Sequence, residues 1–161
     1  MIDDGIARMI INSPLGSLTV SQQDGAIIAL DWRTERPTAP TPLLRRAGLQ
    51  LAEYFAGQRH IFDLPLAPQG SDFQQSVWRR MAKIPYGHVM TYGELAQAVG
   101  SAPRAVGGAC GRNPIAIIIP CHRVVGGSGA LTGYSGAGGI NTKQFLLELE
   151  GALTPGLRIS A

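Results

Sequence analysis

One stretch limits what this chain can fold into more than any other: residues 113–125, which read NPIAIIIPCHRVV. The β-branched run over residues 115–119 predicts a fully buried strand. Pro120 ends it, because proline has no N–H to give to a sheet ladder. A thiol and an imidazole follow at Cys121 and His122. A cysteine just past a buried strand, beside a histidine and an arginine, has the surroundings of a low-pKa nucleophile. A lone cysteine is more often a small buried hydrophobe. Only the rest of the chain can decide between the two.

The 161 residues permit one ordinary domain or two small ones, and a hydrophobic fraction of 45% fits a globular fold. Charge is unevenly spread. Residues 73–123 carry six basic side chains, Arg79, Arg80, Lys83, Arg104, Arg112 and Arg123, against the single acidic Glu94, whereas the remainder holds eight basic and ten acidic residues. The basic excess lies in the same half as Cys121, which favours a polyanionic partner for that half. The N-terminus lacks the apolar core of a secretory leader, and no run is long enough to span a membrane, so a cytoplasmic chain with Cys110 and Cys121 as free thiols is expected. Two cysteines and three scattered histidines disfavour a zinc finger.

In order, residues 6–32 read as a small antiparallel sheet. Candidate strands cover 6–11, 18–21 and 26–32, with Ser13-Pro14-Leu15-Gly16 and Asp24-Gly25 as turn signals. Thr41-Pro42 opens a helix with an apolar stripe of Leu43, Leu44, Ala47, Leu51 and Phe55, closed by Gly57. Residues 61–66 read as a short extended piece, an edge or a linker because of Pro65 and Pro68. Residues 1–68 carry no recognisable chemistry and are expected to be a structural domain; residues 69–161 are expected to carry the function.

The second half opens on a capping box, Ser71 to Gln74, with Phe73, Val77, Met81 and Ile84 expected inward. Residues 88–90 read as a short strand or wing. Thr91 and Glu94 form a second capping box; that helix ends at Gly100, and another starts near Arg104. Two helices joined by a tight turn make a helix-turn-helix pattern. The second helix, residues 104–112, is almost bare of base-reading side chains and has Gly107 and Gly108 side by side. Such a surface permits either tight packing on another helix or close backbone approach to a narrow groove, with Arg104 and Arg112 as anchors. A glycine-dense region follows Cys121 and holds Tyr134 and Ser135, and a final helix is expected to be capped by Asn141, with Phe145, Leu146 and Leu149 inward.

Pro120-Cys121-His122-Arg123-Val124 resembles the active-site motif of the O6-alkylguanine-DNA alkyltransferases, the methylated-DNA–protein-cysteine methyltransferases. The resemblance continues through Arg104-Ala105-Val106-Gly107, Asn113-Pro114, Gly133-Tyr134-Ser135-Gly136 and Leu146-Leu147…Glu150-Gly151. It implies an α+β fold: a small ribonuclease-H-like antiparallel sheet plus helix, then a winged-helix-like helix-turn-helix domain carrying the cysteine. It implies that Cys121 accepts the alkyl group, that His122 activates it through a bridging water, and that Glu150 orients His122. Asn113 would brace the turn, and Tyr92 would donate a proton or hydrogen bond to the leaving base. Arg104 would fill the gap left by a flipped nucleotide. Ala105, Gly107, Gly108, Arg112 and Arg123 would meet DNA, and Met90, Val124, Tyr134 and Ser135 would line the pocket. The implied partner is duplex DNA with alkylated bases. The implied protein is a single-turnover monomer with no obligate protein partner, no cofactor and no metal.

Ala137-Gly138 stands as an insertion relative to the family's loop, which puts the pocket's size in question. Three other readings compete. A lesion-binding module without catalysis is disfavoured by the retained Cys121, and a sequence-reading regulator by the bare second helix. A Cys–His hydrolase is disfavoured because sequence neighbours rarely face each other well and no oxyanion-hole loop is evident.

Overall fold

The computed structural model describes residues 5–129, 131, 134 and 138–153. The chain divides into two compact units, residues 1–69 and 70–161.

In the first unit three strands, β1 (Ala7–Ser13), β2 (Gly16–Gln23) and β3 (Ala26–Asp31), form an antiparallel sheet in the order β1-β2-β3. Asp24 and Gly25 both take positive φ, 50° and 79°, as a two-residue hairpin whose twist matches its strands requires. Pro65 and Leu66 lie alongside Ile27: the Ile27 amide donates to Pro65 O at 2.8 Å, and the Ala67 amide to Ile27 O at 2.8 Å. A proline is tolerated there because the segment is an edge. Helix α1 (Pro42–Phe55) is capped by Thr41, whose hydroxyl accepts from the Leu44 amide at 3.1 Å. It packs on β1 and β2. Its buried stripe is Leu44, Ala47, Gln50, Leu51 and Tyr54, so Leu43 and Phe55 stand at its margin rather than within it. Gln50 is admitted because its amide is spent on the backbone of Asp63.

The second unit is built on three mutually packed helices, α2 (Asp72–Met81), α3 (Tyr92–Val99) and α4 (Pro103–Gly111). Both expected capping boxes are present, at Ser71–Gln74 and Thr91–Glu94, and α3 closes on Gly100 at φ 69°. The buried face of α2 is Val77, Trp78 and Met81, while Phe73 is exposed. Trp78 is drawn in because its indole N–H donates to the Ala109 carbonyl of α4 at 2.8 Å. The strand β4 (Met90–Thr91) pairs in parallel with β5 (Val124–Val125). Helix α5 (Ile140–Leu149) follows Gly139 with no side-chain cap; Asn141 is its second residue, and Thr142, Lys143, Leu146 and Leu147 are its buried residues rather than Phe145 and Leu149. No helix among the described residues is long and apolar enough to cross a membrane.

Candidate alkyl-transfer site

The run over residues 115–119 is buried as expected, but it is not a strand. Beyond a single bridge residue at Ile115 it turns on local hydrogen bonds: Ile118 N to Ala116 O at 2.8 Å, Ile119 N to Ile115 O at 3.0 Å, and Cys121 N to Ile119 O at 2.9 Å. The first closes a γ-turn on Ile117, held at φ 73°, a conformation that costs a β-branched residue dearly. The last closes an inverse γ-turn on Pro120, at φ −84° and ψ 68°. Asn113 overrides the strand preference. Its carboxamide accepts from the Ile115 amide at 3.0 Å and donates to the Ile119 carbonyl at 2.7 Å, so one side chain ties both ends of the turn.

This knot delivers Cys121 onto a single 3-10 turn, Cys121–Arg123, which leads directly into β5. The parallel pairing of Met90 with Val124 and of Thr91 with Val125 then brings the start of α3, and hence Tyr92, to the cysteine motif. Cys121 is partly exposed. Burial pushes its thiol up, while a hydrogen bond from Asn113, the Lys143 charge and the backbone amides of Cys121 and His122 pull it down.

Behind the thiol lies a buried ion cluster. His122 Nε2 donates to Glu150 Oε2 at 2.8 Å. Arg123 holds the same carboxylate with two bonds, Nε to Oε1 at 2.8 Å and Nη2 to Oε2 at 2.9 Å, and gives Nη1 to the Ile84 carbonyl at 2.7 Å. Its guanidinium also lies 5.8 Å from the centroid of the Tyr86 ring. Burial opposes the charge on Glu150, but the hydrogen bonds from His122 and Arg123 prevail and hold its carboxyl near pKa 2. Burial lowers the His122 pKa despite Glu150, which favours the neutral ring. With Nε2–H committed to Glu150, Nδ1 carries the lone pair, and it has no hydrogen-bond partner among the described residues.

Arg123 was expected at the DNA surface. It is instead 7% exposed with its guanidinium fully engaged, a structural partner of Glu150. Its apolar neighbours Val124 and Val125 carried the signal, since a charge inside an apolar run is buried only when paired. Tyr134 is close enough to Cys121 for a thiolate there to raise its phenol further, beyond what burial already does. Val124 is fully buried and Met90 half-buried, whereas Ser135 lies outside the described residues. Gly138 of the insertion has φ 84°, and a Cβ there would overlap the Thr142 hydroxyl. Lys143, which sequence reasoning passed over, is buried beside Tyr92, with its ammonium 5.6 Å from the ring centroid. It falls on the stripe of Leu146, Leu147 and Glu150, at spacings of three, four and seven, so helical periodicity alone could have found it.

The DNA-facing expectation falls on α4. Val106, Ala109 and Cys110 are its buried side, with Cys110 Sγ 3.4 Å from Met81 Sδ. Arg104, Ala105, Gly108 and Arg112 are exposed, and Gly107 is half-exposed. A Cβ at Gly107, Gly108 or Gly111 would meet nothing within 4 Å among the described residues, so packing against those residues does not require these glycines.

Two family models cover nearly the whole chain: the ribonuclease-like domain of 6-O-methylguanine DNA methyltransferase over residues 6–68, and its DNA-binding domain over residues 72–152. The chain belongs to the methylated-DNA–protein-cysteine methyltransferase family. Relatives carrying that family name include a Mycobacterium tuberculosis protein, 47% identical over 90% of this chain and 92% of its own length. Another, from Methanosarcina acetivorans, is 44% identical over 89% of this chain and 97% of its own. The crystal structure of the M. tuberculosis O6-methylguanine methyltransferase superposes with a TM-score of 0.82 at 44% identity, covering 94% of this chain and 96% of that one. A crystal structure of the M. tuberculosis protein in complex with DNA gives 0.79 at 45% identity, over 93% and 96% of the two chains.

Proposed function

We propose that this chain repairs duplex DNA by direct reversal: Cys121 takes the alkyl group from O6 of a flipped-out guanine, or from O4 of thymine, and keeps it. The buried His122–Glu150–Arg123 cluster carries this reading. A thiol with an ordinary pKa is mostly protonated at neutral pH, and burial makes the Cys121 thiolate harder still to form. Glu150 fixes His122 in the tautomer whose Nδ1 can accept the thiol proton through one bridging water. The thiolate then attacks the alkyl carbon, the carbon–oxygen bond breaks, and its electron pair stays on the base. Tyr92 gives a proton or hydrogen bond to the departing guanine. The thioether has no route back to thiol, so each chain acts once.

A guanine inside the stack is out of reach of Cys121 and must be extruded. The glycine-faced side of α4 suits close approach of its backbone to the minor groove. Arg104 occupies the gap, Ala105, Gly107, Gly108 and Arg112 meet the duplex, and Met90, Val124, Tyr134 and Ser135 line the pocket. Residues 1–68 support the domain that does this chemistry, and the protein acts as a monomer. Substitution Cys121→Ala tests the assignment. The variant is expected to bind an O6-methylguanine duplex as the wild type does and to leave the lesion intact; repair by the variant would overturn it.

A further inference from the structure

The basic excess of the second unit is larger than α4 uses. Within residues 73–123, Arg123 is matched by Glu150, and Glu94 is spent on the Thr91 amide at the start of α3. Five cations remain, Arg79, Arg80, Lys83, Arg104 and Arg112, and none has a hydrogen bond or ion pair among the described residues. Only Arg104 and Arg112 stand on or beside α4; the others stand together in the last turn of α2 and just past it. There, with Ser76, they line an open groove of about 540 Å3 whose other side is Ala98 and Val99 at the end of α3. No acidic side chain lines it. The Ser76 hydroxyl donates to the Phe73 carbonyl at 2.7 Å, so the groove takes its character from the three cations. Arg79 and Lys83 are four residues apart and Arg80 and Lys83 three, spacings at which like charges repel. The helix dipole favours cations at a C-terminus, but their repulsion grows with each one, and no carboxylate offsets it.

We propose that this groove is a second contact for duplex DNA, in which Arg79, Arg80 and Lys83 hold neighbouring phosphates of one strand outside the stretch that α4 meets. This rests on duplex DNA being the partner. Two features favour a phosphodiester backbone over an acidic protein segment. Residues 79–83 rise about 6 Å along the chain's helical path, and the phosphates of one strand recur about every 3.4 Å of duplex axis. The cations therefore match about two neighbouring phosphates. The groove is also continuous with α4: Val99 in its wall is five residues from Arg104, which places that residue within about 18 Å. Contacts to phosphates carry no base information, so the groove adds affinity for damaged and undamaged duplex alike and fixes the duplex on the protein.

Lysine labelling tests this in the unaltered protein. Lys83 and Lys143 are the chain's only lysines, and Lys83 is exposed whereas Lys143 is 1% exposed. Acetylation by an N-hydroxysuccinimide ester, mapped by mass spectrometry, therefore reads Lys83. Saturating undamaged duplex at low salt is expected to slow its acetylation at least about tenfold, and added salt to abolish the protection. A Lys83 that labels equally fast with duplex bound would overturn the proposal. The second measurement is the salt dependence of duplex binding by the variant carrying Arg79→Gln, Arg80→Gln and Lys83→Gln. The slope of log K against log salt is expected to flatten by about 2, at about 0.9 per phosphate. A slope equal to that of the wild type would overturn the groove contact. So would an equal flattening per charge removed in Arg45→Gln, a cation exposed on α1, because the effect would then be one of net charge. Failure of the underlying reading looks different: the wild type itself would then bind no duplex.

Discussion

At the scale of single residues, the site depends on compensated burial. Glu150 is fully enclosed and stays ionised because His122 and Arg123 give it three hydrogen bonds, and Arg123 is in turn tied to the Ile84 carbonyl. Glu150→Gln leaves the Arg123 guanidinium buried without a counter-charge, and we expect a loss of about 3–5 kcal/mol in stability. The pH dependence follows from the same pairing. The native carboxyl sits near 2 against an ordinary 4.5, so its contribution is present above about 4.5 and is lost as pH falls towards 2. His122, held neutral by burial, adds a loss of the same sign as pH falls below its ordinary 6.5. Urea unfolding between pH 2 and 7 should therefore show the wild type's advantage over Glu150→Gln shrinking with acid; a constant gap would contradict the pairing.

At the scale of elements, most boundaries were legible because their signals are local. The Thr41, Ser71 and Thr91 caps, the Asp24-Gly25 turn and the Gly100 stop each act within a few residues. The turn at 115–119 was not legible, because β-branched residues favour strands and nothing nearby in sequence announces that Asn113 will bond both ends of the segment. The inward face of α2 was partly misread for a related reason, since Trp78 is placed by a partner on another element, Ala109; on α5 the stripe of Lys143, Leu146 and Leu147 was legible from periodicity. Helix α4 gives a prediction that separates stability from function. Gly108 is exposed with open space where its Cβ would be, so Gly108→Leu should not weaken the fold and should raise helix stability by up to about 1 kcal/mol. The same side chain would hold the helix away from a groove, so affinity for duplex DNA should fall at least tenfold. Unchanged binding by fluorescence anisotropy would show that α4 does not approach DNA through its glycines.

At the scale of the molecule, the chain divides into two compact units. The first unit is a sheet and helix in which the buried Gln50 is bonded to the backbone of Asp63. The second gathers the basic excess, the bare helix and Cys121 within residues 70–161. The family was readable because its motifs are short and contiguous, whereas the pairing of Arg123 with Glu150 joins residues far apart in the chain. The most direct test is intact-protein mass spectrometry after incubation with excess duplex carrying O6-methylguanine, followed by peptide mapping. The expected result is one methyl per chain, on Cys121, with no further gain on longer incubation and an equal loss of lesion. Lesion loss without a methylated Cys121, or turnover beyond one equivalent, would contradict a single-use thiol acceptor.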